Sequence, residues 1–386
     1  MALTYRPGTD GELRDALRDA AAAKHRIELL GNGSKRALGG PIGQVDVRIS
    51  TTGLRRILQY EPRDLTIRVE AGMPFAELSA ELARNGQMIP LDGAYSDDAT
   101  VGGVVAANTS GPRRRLYGTA RDLVIGMRFA TLDGRLVDTG GMVVKNVAGL
   151  DMGKLLIGSY GTLAAIASVN FKLTPIPRVE RTFLFSFPNL DGAAEAVTGM
   201  LRGQYAASAV ELLNPAASAA RGLSGYMLAL AFGGNERAME RITNEMLVRG
   251  AAYGLREEDH VRFWHQLRAG TARFLGANPE GAVVRISTPI AESMEALSLI
   301  SKSPGSAHAG SGVVRGWFTS AEDAGRYLNR CLDRGWDGVI EAAGGNVAAG
   351  LVRWPKPGGE LALMTRVKAM FDPEGLLNRG RLFARI

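Results

Sequence analysis

Two hydrophobic periods alternate along this chain. Leu13, Ala16, Leu17 and Ala20 recur at helical spacing behind Thr9 and Glu12, a capping-box pair, so the chain opens on a predicted helix. Period-two runs follow at Arg26-Ile27-Glu28-Leu29-Leu30, Val45-Asp46-Val47-Arg48-Ile49 and Leu65-Thr66-Ile67-Arg68-Val69, each read as a strand. A short helix is expected from Leu54 to Gln59. Pro74 opens another through Phe75, Leu78, Leu82 and Ala83, which Asn85-Gly86 stops. The alternating runs on either side of Asp133-Gly134 predict a hairpin.

The pattern changes near Pro175-Ile176-Pro177. Beyond it, strands at Phe183–Phe187, Ala209–Leu213, Met227–Phe232, Ala282–Ser287 and Gly312–Phe318 are interleaved with helices near Ala193–Leu201, Arg237–Val248, Glu292–Ile300 and Ala321–Leu332. Such paired units predict an antiparallel sheet with helices on one face. Glu341 to Gly350 is loop-rich, and Leu361–Phe371 is helical. The fold class is α+β, with a first domain over 1–176, a second over 177–340, and a segment over 341–386 that returns to the first.

Composition narrows the function. The 386 residues suit two domains, with 46% hydrophobic and 22% charged positions. A net charge of +7 raises nucleic acid or an anionic ligand. The one dense basic run, Arg113-Arg114-Arg115, has no aromatic platform beside it, which argues against nucleic acid. The single Cys331 excludes an intrachain disulfide and fits a reducing compartment. The N-terminus has no apolar signal region, so a cytoplasmic protein is expected. The longest uncharged span, between Lys154 and Lys172, is broken by Gly158, Gly161 and Asn170 and reads as buried loop and strand, with no direct membrane insertion.

The 49 glycines cluster. Gly31-Asn32-Gly33-Ser34-Lys35 follows a strand directly, the arrangement that presents N–H groups, a hydroxyl and a cation to phosphate; a plain hairpin turn is the alternative. A longer small-residue stretch runs from Pro90 to Thr162. It contains Thr100-Val101-Gly102-Gly103, Asn108, Ser110-Gly111, Tyr117-Gly118 and Gly158-Ser159-Tyr160-Gly161-Thr162. Backbone this bare lets a flat ring and a diphosphate approach closely. No G-x-G-x-x-G opens a long helix, so the Rossmann arrangement is excluded. His260 and His265 stand five apart, which is poor metal spacing, and Phe263 and Trp264 read as core. Arg315, Arg353 and Lys356 are candidates for a carboxylate or a partner.

Taken together, these residues resemble the FAD-binding fold shared by vanillyl-alcohol oxidase and p-cresol methylhydroxylase. Within it they resemble the FAD-binding E subunits of bacterial glycolate oxidases. The resemblance rests on Gly31–Lys35, on Ala99–Gly103 with Asn108, Ser110, Gly111 and Tyr117-Gly118, on Gly158–Leu163, and on the closing Phe371-Asp372-Pro373-Glu374-Gly375-Leu376-Leu377-Asn378. It implies a PCMH-type FAD-binding domain followed by a ferredoxin-like antiparallel cap. It also implies FAD at Gly31, Asn32, Gly33, Ser34, Lys35, Pro90, Thr100, Val101, Gly102, Gly103, Asn108, Ser110, Gly111, Tyr117, Gly118, Gly158, Gly161 and Thr162. The first loop has no histidine or cysteine, so non-covalent FAD is expected.

The resemblance implies a complex with a second flavoprotein subunit and an iron–sulfur subunit, oxidising glycolate, a 2-hydroxy acid, to glyoxylate. Related dehydrogenase subunits carry His-Ala-Gly-x-Gly-x-x-His and a later Gly-Glu-His-Gly, associated with a metal and with deprotonating the substrate. This chain keeps His308-Ala309-Gly310-Ser311-Gly312 but has Arg315 at the second histidine position, and Gly344-Gly345-Asn346-Val347 has no Glu-His pair. No metal site is expected. His308 and Arg315 are the catalytic candidates, with a hydrogen-bonded interior histidine as the alternative. The reading that follows is a subunit whose partner performs the main substrate oxidation. A stand-alone FAD-dependent 2-hydroxy acid dehydrogenase and a flavin-less structural subunit are the alternatives.

Overall fold

The computed structural model describes residues 2–386 other than 96, 143–150, 204, 252, 348–350, 355, 356 and 385. The chain divides into two compact units: Met1–Ser110, Gly118–Ile176 and Pro355–Ile386 form one, and Gly111–Tyr117 with Pro177–Trp354 form the other.

Two larger sheets build the first unit, beside a two-stranded pairing of Gln87–Met88 with Thr174–Pro175. Strands Leu3–Tyr5, Val47–Ser50 and Ile27–Leu30 pair in parallel, Val47–Ser50 in the middle. The helix Asp10–Ala22, capped by the Thr9 side chain, lays Leu13, Leu17 and Ala20 into a core with Ile27, Val47 and Ile49. The second sheet is antiparallel and five-stranded, ordered Ile57–Glu61, Thr66–Glu70, Ala165–Lys172, Val124–Ala130, Leu136–Gly140. Its last two strands are the hairpin around Asp133-Gly134, closed by the Gly134 amide on the Thr131 carbonyl at 3.1 Å.

The helix expected at Leu54–Gln59 is not formed. Thr51–Gly53 is a short 3-10 turn, and Ile57–Glu61 is an edge strand on Thr66–Glu70. Leu54, Ile57 and Leu58 have helical spacing, but a hydrogen-bonding sheet edge overrides so short a pattern.

The C-terminal segment completes the first unit. Ile27 donates its amide to Leu376 at 2.8 Å and accepts from the Asn378 amide at 2.9 Å, so the tail extends the parallel sheet. Lys368, on helix Glu360–Phe371, is buried with its ammonium on Asp372 (2.6 Å) and on the carbonyls of Thr162 (2.7 Å) and Leu377 (2.9 Å). Asp372 also accepts the amides of Leu376 and Leu377 at 2.9 and 2.8 Å.

The second unit is one antiparallel sheet of eight strands. On one face, helices Leu190–Arg202, Glu236–Val248, Ser293–Ser298 and Ala321–Leu332 enclose a core holding Phe183, Leu228, Phe232, Val284 and Leu328. Helices are not confined to that face. Glu257–Arg268, which carries His260 and His265, is a helix that packs Phe263 and Trp264 on Leu184, Ala209 and Met227. His260 Nδ1 shares a hydrogen bond with the Thr182 hydroxyl at 2.8 Å, and Trp264 Nε1 donates to the same oxygen at 2.7 Å. Burial, reinforced by Arg113 and Arg268, pushes the His260 imidazole down to about 4. A strand at Gly305–His308, absent from the sequence reading, pairs with Ala209–Leu213 and Val313–Phe318.

Candidate functional site

A cleft of the first unit opens at the carboxyl end of strand Ile27–Leu30. Gly31 to Lys35 form one wall, Thr100, Gly102, Gly103, Ala106 and Ala107 a second, and Tyr160, Gly161, Ala164 and Ile166 a third. The Gly31 backbone lies directly against the second wall, since a Cβ there would be 2.1 Å from Thr100 Oγ1.

Hydrogen-bond donors separate these walls. Among the described residues, the consecutive amides of Asn32, Gly33, Ser34 and Lys35 have no acceptor, while the turn around them is held by Arg36 N on the Gly33 carbonyl (3.2 Å) and Leu38 N on the Lys35 carbonyl (3.1 Å). Lys35 is 8% exposed, and its ammonium makes one long bond, 3.4 Å, to the Tyr95 carbonyl. Burial depresses it to about 8, against the opposing pull of Asp98. Arg381 is also buried at this cleft, and burial likewise holds its guanidinium below the ordinary value. Glu28 is paired with Arg36 (2.8 Å) and Arg48 (2.6 Å), so it does not neutralise Lys35. Free amides beside two buried cations that no carboxylate bonds among the described residues fit a diphosphate.

The second wall contributes shape instead of amides. Val101 donates to the Met73 carbonyl at 2.9 Å, Gly102 to Ala71 at 2.7 Å, and Gly103 to Thr100 Oγ1 at 3.3 Å. The helix Val101–Ala107 in turn anchors the third wall: Gly158 donates to the Val105 carbonyl at 3.2 Å and Tyr160 to Ala106 at 2.8 Å. Gly161 has φ +68°, and a Cβ there would meet Asn378 Nδ2 at 2.8 Å. Backbone and small side chains thus give a surface that a planar group can approach.

Of the positions expected from the sequence, Gly31, Asn32, Gly33, Ser34, Lys35, Thr100, Gly102, Gly103 and Gly161 line this cleft. Pro90, Val101, Asn108, Ser110, Gly118, Gly158 and Thr162 belong to the same unit without lining it, and Gly111 and Tyr117 belong to the other unit. Asn108 caps the helix with φ +46°, and Thr162 turns its hydroxyl onto the Ser159 carbonyl at 2.8 Å. Arg36, Tyr160, Asn378 and Arg381 also line the cleft. The sequence reading quoted Tyr160 and Asn378 only within the motifs that carry the resemblance, and it missed Arg36 and Arg381.

The second unit holds a polar array on the sheet face away from its larger core. Glu211, His308, Arg315, Arg285 and Glu341 come from neighbouring strands, with Glu211 opposite His308 and Arg285 opposite Arg315. His308 Nδ1 bonds Glu211 and His308 Nε2 bonds Arg315 Nη1. A guanidinium has no acceptor, so Nε2 accepts and the ring proton sits on Nδ1, facing Glu211. Both ring nitrogens are occupied. Arg315 Nε donates to Glu341 at 2.8 Å, and Arg285 Nε lies 3.4 Å from the same carboxylate. Burial pushes Glu341 up, but Arg315 and Arg285 outweigh it and hold the group below its ordinary value. Arg353 gives its carbonyl to the Ile340 amide at 3.0 Å; Lys356 lies outside the described residues.

Known proteins resemble this chain in sequence and in fold. The family described as FAD binding domain matches residues 1–140, and the one described as FAD linked oxidases, C-terminal domain, matches 176–307 and 348–382. Glycolate oxidase subunit GlcE of Escherichia coli is 29% identical over 97% of each chain. D-2-hydroxyglutarate dehydrogenase of Xanthomonas citri is 26% identical over 98% of this chain and 88% of its own. Glycolate oxidase subunit GlcD of Bacillus subtilis is 29% identical over 50% of this chain and 41% of its own. The fold matches that of substrate-bound p-cresol methylhydroxylase with a TM-score of 0.77 at 15% identity, covering 99% of this chain and 88% of that one.

Proposed function

From the premise that this chain belongs to the FAD-linked oxidases, with the family's FAD-binding and C-terminal domains in order, we propose that it is the FAD-binding subunit of a glycolate oxidase that converts glycolate to glyoxylate. The observation that carries the cofactor assignment is the run of free amides from Asn32 to Lys35 beside the buried Lys35 ammonium. These residues would hold the diphosphate, and the bare backbone at Gly102, Gly103 and Gly161 would flank the rest of the molecule. Bound FAD would supply two-electron acceptance from a 2-hydroxy acid or onward electron transfer. Among the described residues, those lining the cleft include no histidine or cysteine, which supports non-covalent binding.

The partners of this subunit are a second flavoprotein subunit and an iron–sulfur subunit, and any membrane association runs through them. Among the described residues no helix is long and apolar enough to cross a membrane. A general base needs a free lone pair within reach of the proton it removes. His308 Nε2 already accepts from Arg315. This supports a division of labour in which the partner flavoprotein oxidises the substrate and this chain relays electrons.

Anaerobic glycolate titration of the isolated chain and of the reconstituted complex, followed at the flavin band at about 450 nm, separates the possibilities. The isolated chain keeps its absorbance and the complex bleaches. Fast bleaching of the isolated chain would instead establish a stand-alone dehydrogenase. A chain that neither carries nor takes up flavin would be a structural subunit.

A further inference from the structure

The last turn of the chain closes on the cofactor cleft through Arg381, which is 7% exposed. Its guanidinium donates from Nη1 to the carbonyls of Arg36 (3.1 Å) and Gly40 (3.2 Å), and from Nη2 to the carbonyl of Lys35 (3.0 Å). The contact is mutual: the Gly40 amide donates to the Arg381 carbonyl at 2.8 Å, and a Cβ on Gly40 would lie 2.1 Å from the Gly380 oxygen. One face of the guanidinium stacks over the Tyr160 ring at 5.4 Å. No carboxylate bonds this guanidinium among the described residues.

A buried guanidinium ordinarily faces a carboxylate or phosphate, because desolvating the charge is costly. Here three carbonyl dipoles hold it, and they belong to the peptides that begin where the free amides end. Lys35 is both the last free amide and the first pinned carbonyl. We propose that Arg381 is a positioning residue for the cofactor's diphosphate. By pinning Lys35, Arg36 and Gly40 it keeps the Asn32–Lys35 amides and the Lys35 ammonium turned into the cleft, and its own charge adds to the positive field there. This inference rests on the reading of the cleft as an FAD site. A lysine, with one compact charge, does not reproduce the planar fork's fixed reach to the Lys35, Arg36 and Gly40 carbonyls.

The test titrates apoprotein with FAD and, separately, with ADP, for the full-length parent, Arg381→Lys and Arg381→Gln, alongside thermal unfolding of each apoprotein. Both variants are expected to weaken FAD and ADP by a similar factor, about tenfold or more, the scale of losing charge-assisted hydrogen bonds. Equal loss for the two ligands locates the effect at the diphosphate. A merely structural role would lower the unfolding midpoint and leave both affinities alone. Variants that bind within twofold of the parent, or that lose FAD but not ADP, overturn the proposal and leave the FAD assignment standing. A parent that binds neither ligand overturns the FAD assignment as well. In the parent alone, ADP must slow hydrogen exchange of residues 36–40 and 380–382 together; exchange unchanged in either segment counts against the proposal.

Discussion

Replacing Lys35 by methionine should strengthen the empty protein and weaken the filled one. The side chain is 8% exposed, and desolvation lowers its ammonium from 10.5 to about 8. That depression is worth about 3 kcal/mol, at 1.36 kcal/mol per pKa unit. Because the folded-state value lies below the unfolded one, the unfolded chain binds the extra proton between pH 8 and 10.5, and apoprotein stability rises with pH through that window. Below pH 8 the charged ammonium opposes folding in full. Lys35→Met removes this cost, so at pH 7 the apo variant should exceed the apo parent by a few kcal/mol, on the order of the same 3 kcal/mol. The gap should close as pH approaches 10.

A bound diphosphate stabilises the ammonium, so the parent's FAD affinity should fall as pH rises above about 8. The variant's affinity should be lower at pH 7 and independent of pH over that range. Urea unfolding of both apoproteins from pH 7 to 10, with flavin titrations at the same values, measures all of this. Taking the difference between parent and variant cancels the other titrating groups. A parent–variant stability difference that does not change with pH would refute the reasoning, because it would mean that the Lys35 ammonium is already solvated.

Two further outcomes follow from the buried pairs. Lys368→Met leaves Asp372 buried with only its two amide donors, and should cost about 3 kcal/mol in urea unfolding; a loss under about 1 kcal/mol would mean that the tail holds without the pair. Arg315→Met leaves Glu341 with Arg285 alone at 3.4 Å, and should cost about 3 kcal/mol. It should also release His308 Nε2, seen by 15N NMR as a change from a hydrogen-bonded to a free acceptor nitrogen. An unchanged His308 spectrum would show that the array is not coupled.

Local chemistry wrote much of this architecture into the sequence. The alternation at Ile27–Leu30 required a strand, and glycines directly after it required an open turn, because both depend on neighbours a few residues away. The Asp133-Gly134 hairpin and the Thr9 cap were legible for the same reason. The clustering of Gly102, Gly103 and Gly161 announced a bare surface.

What that surface does depended on partners distant along the chain. The Val101–Gly103 amides resemble those of Asn32–Lys35 in sequence, yet Met73, Ala71 and Thr100 use them. Ile57–Glu61 became a strand because Thr66–Glu70 offered an edge. His308 lost its free lone pair to a residue seven positions on, across a hairpin that the pattern did not reveal. Asn378 bonds both the amide and the carbonyl of Leu29, at 2.8 and 3.0 Å, across 349 positions. Hydrogen-bonding capacity belongs to the residue and is read from its type. Whether that capacity is spent is a property of the folded neighbourhood, which tertiary contacts alone create.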